Sequence, residues 1–175
     1  MPIFQPGLRE WLDFVQVTNR TFWNLPPQHA TKDAHYRNSI IADRLSELGL
    51  MELDVSHTAF GDDATDLLTG EPVELKSHLD PKRKGRRTTK IDFHKGSIKH
   101  HEQMARSKVV VGIFESYEHS GKLLERLAEI WVIEINSPWH AEVLKKIERM
   151  KQTGKKSSSL SLSISRLPRV ARRLI

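Results

Sequence analysis

The sequence predicts a mixed α/β domain, and three kinds of apolar pattern lead to that expectation. Apolar residues recur at helical spacing near the start of the chain, between about residues 31 and 49, and again after Ser137. Two runs, 108–114 and 130–135, are almost continuously apolar, as in buried strands. A third pattern, Ser159 to Ser165, alternates strictly between serine and an aliphatic residue. With 175 residues, of which 38% are hydrophobic and spread along the chain, one domain with its own core is expected.

Each element has a local reason. Leu8, Trp11, Leu12 and Val15 predict a first helix ending near Asn19, before Pro26-Pro27 breaks regular structure. A second helix is expected from about Thr31, with Asp33 near its positive end, Ile41, Leu45 and Leu48 as its apolar stripe and Gly49 as its stop. Residues 50–76 read as strands and turns, with Thr69-Gly70 and Pro72 marking a tight connection. A basic loop fills 81–90, PKRKGRRTTK, and 97–106 predicts a short helix. Residues 121–129 fit either a short helix or the far arm of a hairpin. Ser137-Pro138 is a helix cap followed by proline, opening a helix to about Gln152 with Val143, Ile147 and Met150 on one face. In the tail, Leu160, Leu162 and Ile164 share one strand face, and Arg166, Arg169, Arg172 and Arg173 follow; they read as a frayed basic end or as phosphate contacts. The parts are N-terminal helices over 1–50, a hairpin over 51–80, the basic loop, and further sheet and helices over 91–175.

Composition narrows the function. Cysteine does not occur, which excludes disulfides and thiolate metal sites. The start, MPIFQPGLRE, has no basic and apolar signal segment, and no apolar run is long enough for a membrane span, so a soluble cytoplasmic protein is expected. The net charge of +6 is unevenly distributed: residues 1–80 hold 6 Lys/Arg against 13 Asp/Glu, residues 81–175 hold 22 against 9. So basic a half suggests a polyanion, and nucleic acid is the commonest.

The chemistry concentrates between Gly61 and Ser77. Glu74 and Lys76 are two apart on an expected strand, so their side chains leave one face, roughly 6.5–7 Å apart at the Cα atoms. Val73 and Leu75 point the other way and anchor the strand. Asp63 precedes Glu74 across a turn, so a hairpin brings the two carboxylates together; Asp66 is an alternative partner. Two carboxylates suit Mg2+, a hard cation that favours oxygen ligands and can polarise a phosphodiester and acidify water. A neighbouring lysine can orient the attacking water and offset charge.

Asp62-Asp63, a turn, then Glu74-Leu75-Lys76 resembles the motif of the PD-(D/E)xK nuclease superfamily, with aspartate at 62 where the family name has proline. The resemblance covers 60–77 closely and the remaining order of elements loosely. It implies a restriction-endonuclease-like mixed sheet flanked by helices, cutting DNA with Mg2+. It also implies Asp63 and Glu74 as metal ligands, the carbonyl of Leu75 as a further one, and Lys76 as the catalytic lysine. Asp43, Glu47 or Glu52 would supply the additional helix acid that some members carry.

Lys82, Arg83, Lys84, Arg86 and Arg87 follow the motif and are candidate DNA contacts. His94, His100 and His101 lie close in sequence, but adjacent positions on a helix diverge and do not share an ion. His57 and His78 flank the motif, and tryptophans 11, 23, 131 and 139 are expected in the core. The expectation is a type II restriction endonuclease, a homodimer on double-stranded DNA leaving 5′-phosphate ends. A repair, junction-resolving or nicking nuclease, and a non-catalytic nucleic-acid-binding protein, are the alternatives.

Overall fold

The computed structural model describes residues 30–55, 63–80, 90–119 and 122–175. The expected first helix, His57, Asp62 and the loop cations Lys82, Arg83, Lys84, Arg86 and Arg87 lie outside the described residues. In chain order the elements are α1 (Ala30–Glu47), β1 (Leu53–Val55), β2 (Ala64–Asp66), β3 (Pro72–Asp80), β4 (Lys90–Ser97) and α2 (Ile98–Met104). They continue with β5 (Lys108–His119), β6 (Lys122–Ile133), α3 (Pro138–Thr153), β7 (Ser157–Ser163), a 3-10 turn, α4 (Leu167–Val170) and β8 (Arg172–Arg173).

The main sheet has the order β1-β2-β3-β5-β6-β8, with β3 and β5 parallel and its other pairs antiparallel. Strands β4 and β7 form a separate antiparallel ribbon. The architecture is therefore mixed α/β. No helix among the described residues is long and apolar enough to cross a membrane.

Period-two alternation sorts the sheet into two faces. Val73, Leu75, Val110, Phe114, Ile130 and Val132 pack with Ile41 and Leu45 of α1. Val109, Val111, Ile113 and Ile133 face the other way and pack with Trp139, Val143 and Ile147 of α3 and with Ile91, Phe93, Leu160 and Leu162 of the ribbon. The result is three layers, with α1 on one side of the sheet and α2, α3 and the ribbon on the other.

Local sequence explains most element ends. Ser137 accepts from the His140 amide and Pro138 follows, while Gly154 closes α3 with φ of 65°. Buried His140 locks this start to the sheet: Nε2 bonds the Ser107 carbonyl and Nδ1 the Ser137 hydroxyl, each at 2.8 Å. Leu48, expected on the α1 stripe, falls beyond the helix end and is 39% exposed. Of the stretch 121–129, residues 122–129 form the hairpin arm, since β6 pairs with β5 from Lys122 onward. The alternating tail is a strand as far as Ser163, with Leu160 and Leu162 buried against the core, while Ile164, expected on the same strand face, opens the 3-10 turn.

Helix α1 approaches β5 at Gly112. A Cβ there would lie 2.4 Å from Ile41 Cδ1 and 2.6 Å from its Cγ1, and Ile41 is wholly buried. Gly112→Ala is therefore expected to overpack this layer and to lower stability by about 1–3 kcal/mol, measured as a shift in the urea midpoint.

Candidate active site

Strand pairing builds the site. Ala64 pairs with Val73 in the antiparallel β2–β3 ladder, so the next step outward sets Asp63 against Glu74. Opposed residues share a sheet face. Lys76, two further along β3, joins the same face. Its Nζ lies 2.5 Å from Glu74 Oε1 and 3.9 Å from Asp63 Oδ2. Asp63 Oδ2 also accepts from the Leu75 amide at 2.9 Å, which fixes the carboxylate against β3. In an extended strand the N–H and C=O of one residue leave the same edge, so the Leu75 carbonyl is directed to Asp63's side.

Glu74 is 5% exposed and flanked on β5 by buried Val109 and Val111, the register partners of Glu74 and Lys76. Burial pushes its pKa up; the Lys76 ammonium opposes this, and the Asp63 carboxylate adds to it. Asp63 and Lys76 are each partly open to solvent, so a substrate has access from that side.

Asp66, the other candidate ligand, is three residues from Asp63 and therefore on the opposite sheet face. There it is buried and holds Lys108 at 3.0 Å, with Oδ1 taking the Leu68 amide. Asp63, and not Asp66, is the carboxylate that meets Glu74. The three helix-side acids are not brought to the site either. Glu47 pairs with Arg44, Glu52 accepts from the Ser46 hydroxyl, and Asp43 lies exposed on α1, across the sheet.

The structure adds His100, which the sequence placed on a helix without saying what that helix meets. It lies within electrostatic reach of Glu74, where a proton on its ring would favour the carboxylate. The histidine sits three residues past the Ser97 cap, and its ring lies so close over Gly96 that a Cβ there would be 2.5 Å from its Cδ2. The ring of His101 diverges from it, with centroids 6.2 Å apart. His101 is wholly buried, with neither ring nitrogen in a well-formed hydrogen bond; burial chiefly holds its pKa down, and the neighbouring His100 and Lys146 add to this. His78, four residues beyond Glu74 on the same face of β3, is buried as well.

Among the described residues no three His, Asp or Glu side chains form a cluster that could hold a metal. Two carboxylates do converge on one cation, the Lys76 ammonium, and a backbone carbonyl is directed to the same edge. An all-oxygen set of this size fits Mg2+, which keeps several waters and commonly uses one or two carboxylates.

Three of the four tail arginines have carboxylate partners: Arg166 with Glu142, Arg172 with Glu134, and Arg173 with Glu129 at 3.5 Å. These exposed pairs compete with the phosphate contacts that the sequence allowed for them. Trp131 and Trp139 are core residues, Trp139 stacking on Phe93 at 5.0 Å. No protein-family model matches the chain, and no curated protein matches it.

Proposed function

We propose that this protein is a Mg2+-dependent endonuclease of double-stranded DNA with a restriction-endonuclease-like fold, acting in the cytoplasm as a homodimeric type II restriction enzyme. The observation that carries the reading is the convergence of Asp63, Glu74 and Lys76 on one sheet face, with Asp63 held by the Leu75 amide. The charge distribution supports a DNA substrate, because the chain beyond residue 80 is strongly basic. So does the outer face of the β4–β7 ribbon: exposed Ser159 and Ser161, after Lys155 and Lys156, offer hydroxyl and ammonium donors beside the element that carries His100.

Asp63, Glu74 and the Leu75 carbonyl would hold the ion, which, when bound, neutralises phosphate charge and makes water more acidic. Lys76 holds the attacking water by donating a hydrogen bond and offsets the charge that grows on the phosphoryl oxygens. Water oxygen bonds to phosphorus in line with the leaving 3′ oxygen, whose bond breaks. The products are a 5′-phosphate and a 3′-hydroxyl. Glu74, walled by Val109 and Val111, keeps Lys76 in place between turnovers.

The test is incubation with phage DNA, with Mg2+ or with chelator, alongside Lys76→Ala. Lys76→Ala is expected to slow cleavage by about 10²–10⁴-fold while leaving DNA affinity nearly unchanged. Discrete bands requiring both Mg2+ and Lys76 support the restriction enzyme. A smear with the same requirements supports a repair or nonspecific nuclease, and tight salt-sensitive binding without cleavage supports a non-catalytic DNA-binding protein.

A further inference from the structure

The β2–β3 turn and the segment just past α1 carry exposed apolar side chains. Leu67 and Leu68 occupy the turn between β2 and β3 and are 63% and 76% exposed. Leu48 and Leu50, just past α1, are 39% and 44% exposed. The two segments are neighbours: the Leu67 amide donates to the Glu52 carbonyl at 2.9 Å, and Leu53 pairs with Asp66.

The turn is rigidly built. Gly70 donates to the Asp66 carbonyl, the Asp66 amide to the Glu71 carbonyl, and the Leu68 amide to the Asp66 side chain, while Asp66 itself is anchored on buried Lys108. Gly70 has φ of 71°, a left-handed conformation that closes the turn. A turn tied at so many points presents Leu67 and Leu68 without needing to order them on contact, which lowers the cost of binding.

The surroundings select the occupant. Asp43, Glu47, Glu52 and Asp54 are exposed in the adjoining segment, and Glu71 is half-buried at the turn. The cations among them are Arg44, paired with Glu47, and Lys108, buried beneath the turn. An acidic rim repels nucleic acid and anionic lipid. It equally disfavours a second copy docked two-fold through this patch, because an isologous contact would set the same acids face to face. The charge complement is a basic segment with interleaved leucine-like side chains.

We propose that Leu48, Leu50, Leu67 and Leu68, ringed by these acids, form a docking surface for a cationic amphipathic segment of a partner protein. The surface is centred on the β2–β3 turn, outside the paired strand positions that set Asp63 against Glu74.

The test uses the full chain and a fluorescein-labelled 18-residue peptide of alternating leucine and lysine blocks, read by fluorescence anisotropy. Leu67→Ser/Leu68→Ser is compared with Leu144→Ser, an exposed leucine on α3. Thermal unfolding and DNA cleavage of each variant are recorded in parallel. The expected result is salt-sensitive binding that the double variant weakens by about tenfold or more, while Leu144→Ser binds like the parent. Failure of the peptide to bind, or equal binding by the double variant, overturns the proposal. So does sedimentation showing concentration-dependent self-association of the parent that the double variant abolishes, which would make a second copy the occupant.

Discussion

Glu74→Gln is expected to abolish Mg2+-dependent DNA cleavage and, at the same time, the thermal stabilisation that Mg2+ confers on the parent. The buried carboxylate pairs with Lys76 at 2.5 Å, and the same ammonium lies 3.9 Å from the Asp63 carboxylate. Removing its charge removes one of the two proposed carboxylate ligands, and a loss of about 10³-fold or more in rate is expected. For the parent, Mg2+ at about one hundred times its dissociation constant would add about 2.7 kcal/mol of stability by mass action. The variant should show almost none of that shift.

The pH dependence has a definite sign. Burial, aided by Asp63, raises the folded-state pKa of Glu74 despite Lys76. The folded protein then holds this proton more tightly than the unfolded chain. Its stabilising contribution is fully present below about pH 4.5, the ordinary value, and is lost as pH rises through the raised one. In chelator, the stability of the parent minus that of Glu74→Gln should fall as pH rises from about 4.5, by urea titration at each pH. A difference that is flat or rising with pH would contradict the burial and charge argument.

Lys108→Met should destabilise the fold by about 3–5 kcal/mol, through the other face of the sheet. Lys108 and Asp66 are 7% and 5% exposed at their side chains and lie 3.0 Å apart, with Glu71 at 2.8 Å and Glu134 at 3.9 Å from the same ammonium. Taking away the lysine leaves a buried carboxylate with the Leu68 amide as its hydrogen-bond donor. At 2–4 °C per kcal/mol for a domain of this size, the midpoint should drop by about 10 °C. Asp66→Asn in the Lys108→Met background should restore part of that loss, and the double-mutant cycle measures the coupling.

This pair titrates in the opposite sense to Glu74. Burial alone would raise Asp66, but the bonds from Lys108 and the Leu68 amide outweigh it and hold the pKa below 3.8. Its contribution is present above that value and is lost as pH falls through the depressed one. The deficit of Lys108→Met should therefore narrow in strong acid. Folded Lys108→Met should still cleave, because the pair lies across the sheet from Glu74; a catalytic collapse without unfolding would show that the two faces are coupled.

Much of the fold is legible along the chain because it depends on local periodicity. The α3 helix follows from Ser137-Pro138 and from Val143, Ile147 and Met150 on one face, with Gly154 closing it. The β3 strand follows from Val73-Glu74-Leu75-Lys76, where the apolar residues have one face available to them and the charged residues the other. Strand β4 was not foreseen. Ile91 and Phe93 give it too short an alternation beside a run of basic residues, and pairing with β7 is what holds it.

By itself the sequence determined the mixed α/β class, the candidate triad of Asp63, Glu74 and Lys76, and the uneven charge, since each depends on residue type and spacing within a few positions. Only the tertiary structure decided between Asp63 and Asp66, because strand register assigns them to opposite faces of one sheet and buried Lys108 takes the second. Only the tertiary structure brought His100 within electrostatic reach of Glu74 and gave three tail arginines their carboxylates, with Arg166 and Glu142 24 residues apart and Arg172 and Glu134 38 apart. Such contacts arise when the sheet and its flanking layers bury their apolar faces together, and no periodicity within a single segment encodes which charges that burial will bring into reach.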